Sequence, residues 1–164
     1  MKFFNTSLFI LLGLCLTDIC NHVEGRAVLS RKKRQLSSEC NYIVVMDAGS
    51  TKTRATVYYI TENFSEIGDI DDKKRQPGLS YYGNKQDQMN QMRMHLRELI
   101  DFAKNIVPTV CHEDTKLILK ATAGLRQQPK SAADKIIREV KSVFATSGFR
   151  YRDDYVSIMS GVDE

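Results

Sequence analysis

The chain has 164 residues and a formal net charge of +4, from 24 Lys and Arg against 20 Asp and Glu. Residues 1–34 hold six of the basic and two of the acidic residues, which leaves 18 of each for the rest of the chain. The bulk of the chain is therefore neutral, which argues against nucleic acid as a partner. His22, His95 and His112 lack metal-ligand spacing, which argues against a zinc site.

The first residues are typical of a targeting segment. A mostly apolar run from Phe3 to Leu16 follows Lys2 and ends before Asp18. It is shorter than the roughly 20 residues that span a bilayer, so no stable membrane span is predicted. Residues 1–25 are predicted to be a signal peptide cleaved after Gly25, with a retained signal anchor as the alternative. This predicts a protein that is secreted or lies in the lumen of the secretory pathway (ER or Golgi).

A basic linker is predicted at residues 26–41. Its Arg31-Lys32-Lys33-Arg34 run is either a processing site for a secretory-pathway convertase or a solvated linker, and the sequence does not decide between them. Cys40 and Cys111 each precede a predicted parallel strand. A disulfide between them in an oxidising compartment and two unpaired thiols both remain open.

The remaining chain alternates strand and helix patterns. The apolar residues of the first helix recur at helical spacing and Pro108 ends it, whereas Ser131 is the expected N-cap of the second helix and Gly148 its end. The predicted elements are strands at 41–46 and 53–60, a short edge strand near 67–70, a helix at 86–107, a strand at 116–121, a helix from 131, and a strand at 156–159.

Two segments carry the chemistry. Asp47-Ala48-Gly49-Ser50-Thr51-Lys52 and Ala121-Thr122-Ala123-Gly124-Leu125-Arg126 each follow an apolar strand. Small, hydroxyl-rich turns expose backbone N–H groups and let a phosphate approach them. An acid at the end of a buried strand, such as Asp47, is costly unless it meets a cation or donors. Together the two segments predict a site for phosphate and a hydrated cation.

The same two segments resemble the first two signature regions of the apyrases, the nucleoside triphosphate diphosphohydrolases, with the guanosine diphosphatases among them. Ser157 to Glu164 resembles the opening of the third region. Gln76-Pro77-Gly78-Leu79-Ser80 resembles a further stretch of the soluble or secretory-pathway members. The order of strands and helices matches one half of the ribonuclease-H-like fold, the superfold of actin and the Hsp70 ATPase. The resemblance implies this α/β fold, with a mixed sheet flanked by helices.

The resemblance also implies roles for particular residues. Asp47 and Thr122 would hold waters of a Ca²⁺ or Mg²⁺ ion, and Glu164 would be the general base that activates the attacking water. Lys52 would add charge to the phosphate or remain solvated, and Arg126 would anchor its loop rather than bind substrate. The phosphate-binding set is Gly49, Ser50, Thr51, Lys52, Ala123 and Gly124.

The resemblance implies hydrolysis of nucleoside di- or triphosphates, and the soluble-type features favour diphosphates. Residues 42–164 would be the truncated N-terminal half of such an enzyme. The C-terminal half-domain, with its second phosphate loop, would be missing, so the chain itself is expected to be inactive. An exopolyphosphatase or sugar kinase of the same superfold is a rival that Ala121–Arg126 argues against. A second rival is a non-catalytic secreted fragment that binds a nucleotide or a partner.

Overall fold

The centre of the structure is a mixed five-stranded sheet in the order β3-β2-β1-β4-β5. A computed structural model describes residues 40–61, 67–84 and 86–160. All of these belong to one compact unit, Cys40–Glu164. The predicted signal peptide, residues 26–39 of the predicted linker, and Glu164 lie outside the described residues.

Three strands form an antiparallel meander and two run parallel to the first. β1 (Tyr42–Ala48) pairs with β2 (Thr53–Ile60), and β2 pairs with β3 (Ile67–Arg75), both antiparallel. On its other side β1 pairs in parallel with β4 (Lys116–Ala121), which pairs in parallel with β5 (Val156–Ile158). This is the arrangement expected for one ribonuclease-H-like half.

Helices cover one face of the sheet. They are α1 (Gln86–Ile106), the short α2 (Ala123–Arg126) and α3 (Lys130–Ala145), and a 3₁₀ helix at Leu79–Asn84 packs with them. The apolar positions predicted for the first helix are all buried: Met89, Met92, Leu96, Leu99, Ile100, Ala103 and Val107. On the opposite face, Ile43, Val45, Tyr58 and Ile60 line an open groove.

Several predicted boundaries are wrong. β1 continues through Asp47 and Ala48, because both residues still pair with β2 and β4. β3 has nine residues rather than a short stretch, and its charged residues 71–75 lie at the exposed edge of the sheet, where charge discourages further strand pairing. α3 begins at Lys130 with Pro129 as its N-cap, so Ser131 lies inside the first turn. The Pro129 carbonyl accepts from the N–H groups of Ala132 and Ala133, and proline is favoured at a helix start because it has no N–H to satisfy.

Cys40 and Cys111 form a disulfide with a Cα–Cα distance of 5.2 Å. Cys40 precedes β1, and Cys111 ends a 3₁₀ helix shortly before β4. Because β1 and β4 are parallel neighbours, their starting ends lie at the same edge of the sheet, and the disulfide closes this edge.

Loss of this disulfide should destabilise the 164-residue chain. The two cysteines are 71 residues apart, and a loop of this size is worth about 4 kcal/mol in the chain-entropy model. Urea unfolding with and without reductant measures the effect. The double variant Cys40→Ser, Cys111→Ser should match the reduced wild type and not respond to reductant. A wild-type unfolding midpoint that does not change with reductant would contradict the disulfide between Cys40 and Cys111.

His95 is buried within α1, which the helical pattern did not predict. Its Nδ1 and the Tyr82 hydroxyl are hydrogen-bonded at 3.1 Å, and its Nε2 has no partner among the described residues. Burial, with a smaller contribution from the Arg75 charge, lowers the pKa of His95 to about 4, whereas Glu98 acts weakly in the opposite direction. The folded chain therefore favours neutral His95.

Stability should consequently fall in mild acid. The unfolded chain takes up a proton at His95 near pH 6.5 and the folded chain only near pH 4, so this contribution is complete above pH 6.5 and is lost as the pH falls towards 4. The loss approaches about 3 kcal/mol. His95→Gln keeps an acceptor for Tyr82 but cannot titrate there, so its free energy of unfolding should change less over this range. Equal pH slopes for the two proteins would refute this assignment.

Candidate active site

The first predicted loop lies between β1 and β2. Ala48 is fully buried and fixes the end of β1, whereas the side chains of Ser50, Thr51 and Lys52 are exposed. Backbone N–H groups of Ser50 and Thr51 donate to no acceptor among the described residues. The loop therefore presents two hydroxyls, an ammonium and two backbone N–H groups without an acceptor in the described part of the chain, all at one edge of the sheet.

The second loop follows β4 at the same edge. The parallel register places Ala121 beside Ala48. The Thr122 N–H donates to the Ala48 carbonyl at 3.2 Å, and the Thr122 hydroxyl approaches the same oxygen at 3.5 Å. The chain then turns directly into α2, whose Leu125 is buried. Thr122 thus joins the start of the second loop to the end of the first strand.

Gly124 brings the two loops into contact. A Cβ atom at Gly124 would lie 2.6 Å from Ser50 Cα, closer than real Cβ atoms approach, and 3.1 Å from Ser50 N, which is also tight. Glycine is therefore required here, because the backbones of the two loops pass too close for any side chain. The phosphate-binding set predicted from the two motifs is brought together at one edge of the sheet.

A third segment contacts the first loop from another side. A Cβ at Gly78 would lie 2.5 Å from the Ser50 carbonyl oxygen and 2.7 Å from its carbonyl carbon. The Ser80 hydroxyl donates to the same oxygen at 3.5 Å, and Leu79 between them is fully buried. From the sequence, this stretch was recognised only by its resemblance to relatives, and its position in the fold was not predicted. Its Pro-Gly pair after a strand was the local signal of a turn.

Asp47 lies on the sheet face opposite the helices, between two cationic neighbours. Its register partners are Arg54 on β2 and Lys120 on β4. Lys120 donates to the Ser157 hydroxyl at 2.8 Å, and Arg54 lies 3.6 Å from Asp72. Asp47 itself makes no ion pair with a described residue. The Asp47 side chain is exposed, so the prediction that this acid would be costly at the end of a buried strand is wrong. The buried residue at the strand end is Ala48, and Asp47 points to the other face.

These residues fit a water-bridged cation better than an enclosed one. Among residues 40–61, 67–84 and 86–160, no group of three or more His, Cys, Asp or Glu could hold a metal. An exposed carboxylate without an ion pair, close to hydroxyl-bearing loops, suits a hard ion that keeps most of its waters and binds partly through substrate phosphates, as Mg²⁺ commonly does.

Arg126 holds the chain that follows β5, whereas the sequence predicted that it would anchor its own loop. It donates to the Met159 carbonyl at 3.2 Å, and the Met159 N–H donates to the Ala121 carbonyl at 2.8 Å. Both the carbonyl and the N–H group of Met159 are therefore hydrogen-bonded, five residues before Glu164. Glu164 lies outside the described residues, so the position of the predicted base stays a prediction.

The sheet order and the two adjoining loops define a ribonuclease-H-like half-domain. A crystal structure of an exopolyphosphatase-like protein has the same fold, with a TM-score of 0.50, 13% identity, and coverage of 74% of this chain and 33% of that one. The predicted fold class is confirmed, and a likeness at this identity shows the fold alone.

The chain belongs to the GDA1/CD39 (nucleoside phosphatase) family, whose model matches residues 33–164. It is 42% identical over 129 residues to human ectonucleoside triphosphate diphosphohydrolase 6, covering 77% of this chain and 26% of that protein. It is 35% identical over 167 residues to bovine ectonucleoside triphosphate diphosphohydrolase 5, covering 93% of this chain and 38% of that protein. The predicted family is confirmed, and the chain spans about a quarter to two fifths of the length of these relatives.

A methyl group at Gly124 should disturb both loops. Gly124→Ala places an atom 2.6 Å from Ser50 Cα, and overpacking of this kind costs about 1–3 kcal/mol. Gly68→Ala is the matched control, because nothing lies within 4 Å of its added Cβ, and it should change the free energy of unfolding by less than about 0.5 kcal/mol. Denaturant unfolding of the two variants measures the difference. Equal effects would mean that the two loops do not touch as described.

Proposed function

We propose that this chain is the N-terminal half of an enzyme that hydrolyses nucleoside di- or triphosphates and releases phosphate. The observation that carries the proposal is the contact between Gly124 and Ser50, which unites the two signature loops at one edge of the sheet. In a member of a nucleoside phosphatase family, two adjoining loops of small and hydroxyl residues are suited to one phosphate group.

Each loop has a role in this proposal. Ser50, Thr51 and the backbone of Gly49 to Lys52 hold the oxygens of the terminal phosphate, and Ala123 and Gly124 face it from the second loop. Donors aimed at the phosphate oxygens stabilise the charge that develops as the bond to the leaving group breaks. Lys52 is exposed and directly follows Thr51, so its ammonium adds a positive charge beside the phosphate in this proposal.

Asp47 and Thr122 bind waters of a divalent cation in this proposal, Ca²⁺ or Mg²⁺. The ion, when bound, neutralises charge on the phosphate and leaving-group oxygens. Glu164 accepts the proton of the attacking water, whose oxygen forms the new bond to phosphorus while the bond to the leaving nucleotide oxygen breaks. Arg126 supports this step indirectly, because it fixes the Met159 carbonyl on the stretch that leads to Glu164.

The second half of the site comes from a C-terminal half-domain. The relatives are longer than this chain, which covers 26% and 38% of the two described above. We infer that a second phosphate loop on that half completes the site and that the 164-residue chain turns over nucleotide poorly. Nucleoside diphosphates are the preferred substrate in this proposal.

The proposed location is the secretory-pathway lumen or the outside of the cell. The Cys40–Cys111 disulfide supports it, because such bonds persist in oxidising compartments. The relatives' names, which begin with "ecto", also support it. In the described part of the chain, no helix has the length and apolar character needed to cross a membrane.

The assignment of the base can be tested in the extended protein, meaning residues 1–164 followed by the C-terminal half-domain that this proposal requires. Glu164→Gln should lower kcat by at least about 10²-fold while nucleotide binding persists, because the amide keeps the shape but accepts no proton. Asp47→Ala should instead weaken cation-dependent binding and rate together. Phosphate release and nucleotide titration measure both.

Asp163→Asn is the matched control and should retain activity. An active Glu164→Gln enzyme would refute Glu164 as the base and would make Asp163 the next residue to test. Turnover by the 164-residue chain at a rate comparable with the extended protein would refute the need for a second half.

A further inference from the structure

The Gly78–Ser80 segment contacts the first loop through its carbonyl groups. A Cβ at Gly78 would overlap the carbonyl oxygens of both Gly49 and Ser50, and the Ser80 hydroxyl donates to the Ser50 oxygen at 3.5 Å. Two successive carbonyls of the loop therefore point towards this segment. The two loop motifs assign no role to this segment.

The direction of these carbonyls fixes the direction of the neighbouring N–H groups. Among the described residues the cis peptide bond is Gln76–Pro77, so the peptides that join Gly49, Ser50 and Thr51 are trans. In a planar trans peptide, the C=O and the N–H point in opposite directions. The N–H groups of Ser50 and Thr51 therefore point away from Gly78, and neither donates to a described acceptor.

The segment is held more firmly than the loop that it contacts. Leu79 is fully buried, and the Tyr82 hydroxyl is hydrogen-bonded to the buried His95 of α1. A Cβ at Gly83 would lie 3.4 Å from side-chain atoms of Ala132 and Ile136 on α3, so the 3₁₀ helix also packs against α3. Ser50 and Thr51, by contrast, are exposed. A side chain added at Gly78 should therefore displace the loop rather than the segment.

We propose that Gly78 and Ser80 are positioning residues of the phosphate site: they hold the carbonyls of Gly49 and Ser50 on one side of the loop, so that the N–H groups of Ser50 and Thr51 face the phosphate of the substrate. This inference rests on the proposed function for the identity of the ligand. Gly78 and Ser80 do not touch the phosphate, and they act through the orientation of two peptide planes.

The experiment measures the affinity of the extended protein for inorganic phosphate by calorimetric titration with Mg²⁺ present. Gly78→Ala should weaken phosphate binding at least about tenfold, because hydrogen bonds to a charged group are misdirected. It should also lower kcat for nucleoside diphosphate. Gly68→Ala, where an added Cβ meets nothing within 4 Å, should leave both values unchanged.

Phosphate affinity separates positioning from general damage. A variant that is only less stable has fewer active molecules, but each binds phosphate with the wild-type dissociation constant. An unchanged constant for Gly78→Ala would therefore overturn the inference. If Gly78→Ala does not fold, Ser80→Ala decides: loss of its hydroxyl should raise the constant by about threefold, and no change would overturn the inference.

Failure of the proposed function gives a different result. A wild-type extended protein that binds inorganic phosphate but does not hydrolyse nucleotides would refute the function, and the variants would still decide the positioning role. A wild-type protein that does not bind phosphate would overturn the positioning role itself.

Discussion

The parallel pairing of β1 with β4 is the constraint on which the candidate site depends. It places Ala48 beside Ala121, and the Thr122 N–H then continues the hydrogen bonding of the strands by one further donor to Ala48. Two loops that are separated by about seventy residues in sequence therefore leave the sheet at the same edge. A slip of one residue would turn every side chain of β4 to the other face and separate the loops.

Glycine makes the rest of the arrangement possible. Ser50 lies between Gly124 of the second loop and Gly78 of the intervening segment, and either glycine would collide with it if a Cβ were present. Three segments thus meet at one residue of the backbone. The side chains of Ser50, Thr51 and Lys52 on this loop stay exposed, while Leu79 and Leu125 of the two contacting segments are buried.

Much of this could be predicted from the sequence, because the information was local. The buried apolar face of α1 follows from the helical periodicity of its residues. The loops at the two motifs follow from small residues placed directly after apolar runs. His95 could have been found as well, since it lies three residues after the buried Met92 and four before Leu99. The contact of Gly78 with Ser50 could not have been predicted in this way. It joins residues far apart in the chain, and the 3₁₀ helix that follows Gly78 has no periodic signal. The exposure of Asp47 was mispredicted because β1 continues two residues further, through Asp47 and Ala48, and alternation then directs the Asp47 side chain away from the helices.

The disulfide has a topological consequence. Cys40 and Cys111 enclose a covalent ring that contains the first loop and the Gly78–Ser80 segment, and the chain leaves this ring just before β4 leads to the second loop. A protease that cut one bond anywhere between the two cysteines would open the ring without releasing a piece. The nicked protein would migrate as an intact chain under non-reducing conditions and as two fragments after reduction, so the parts of the site would stay covalently connected even after cleavage.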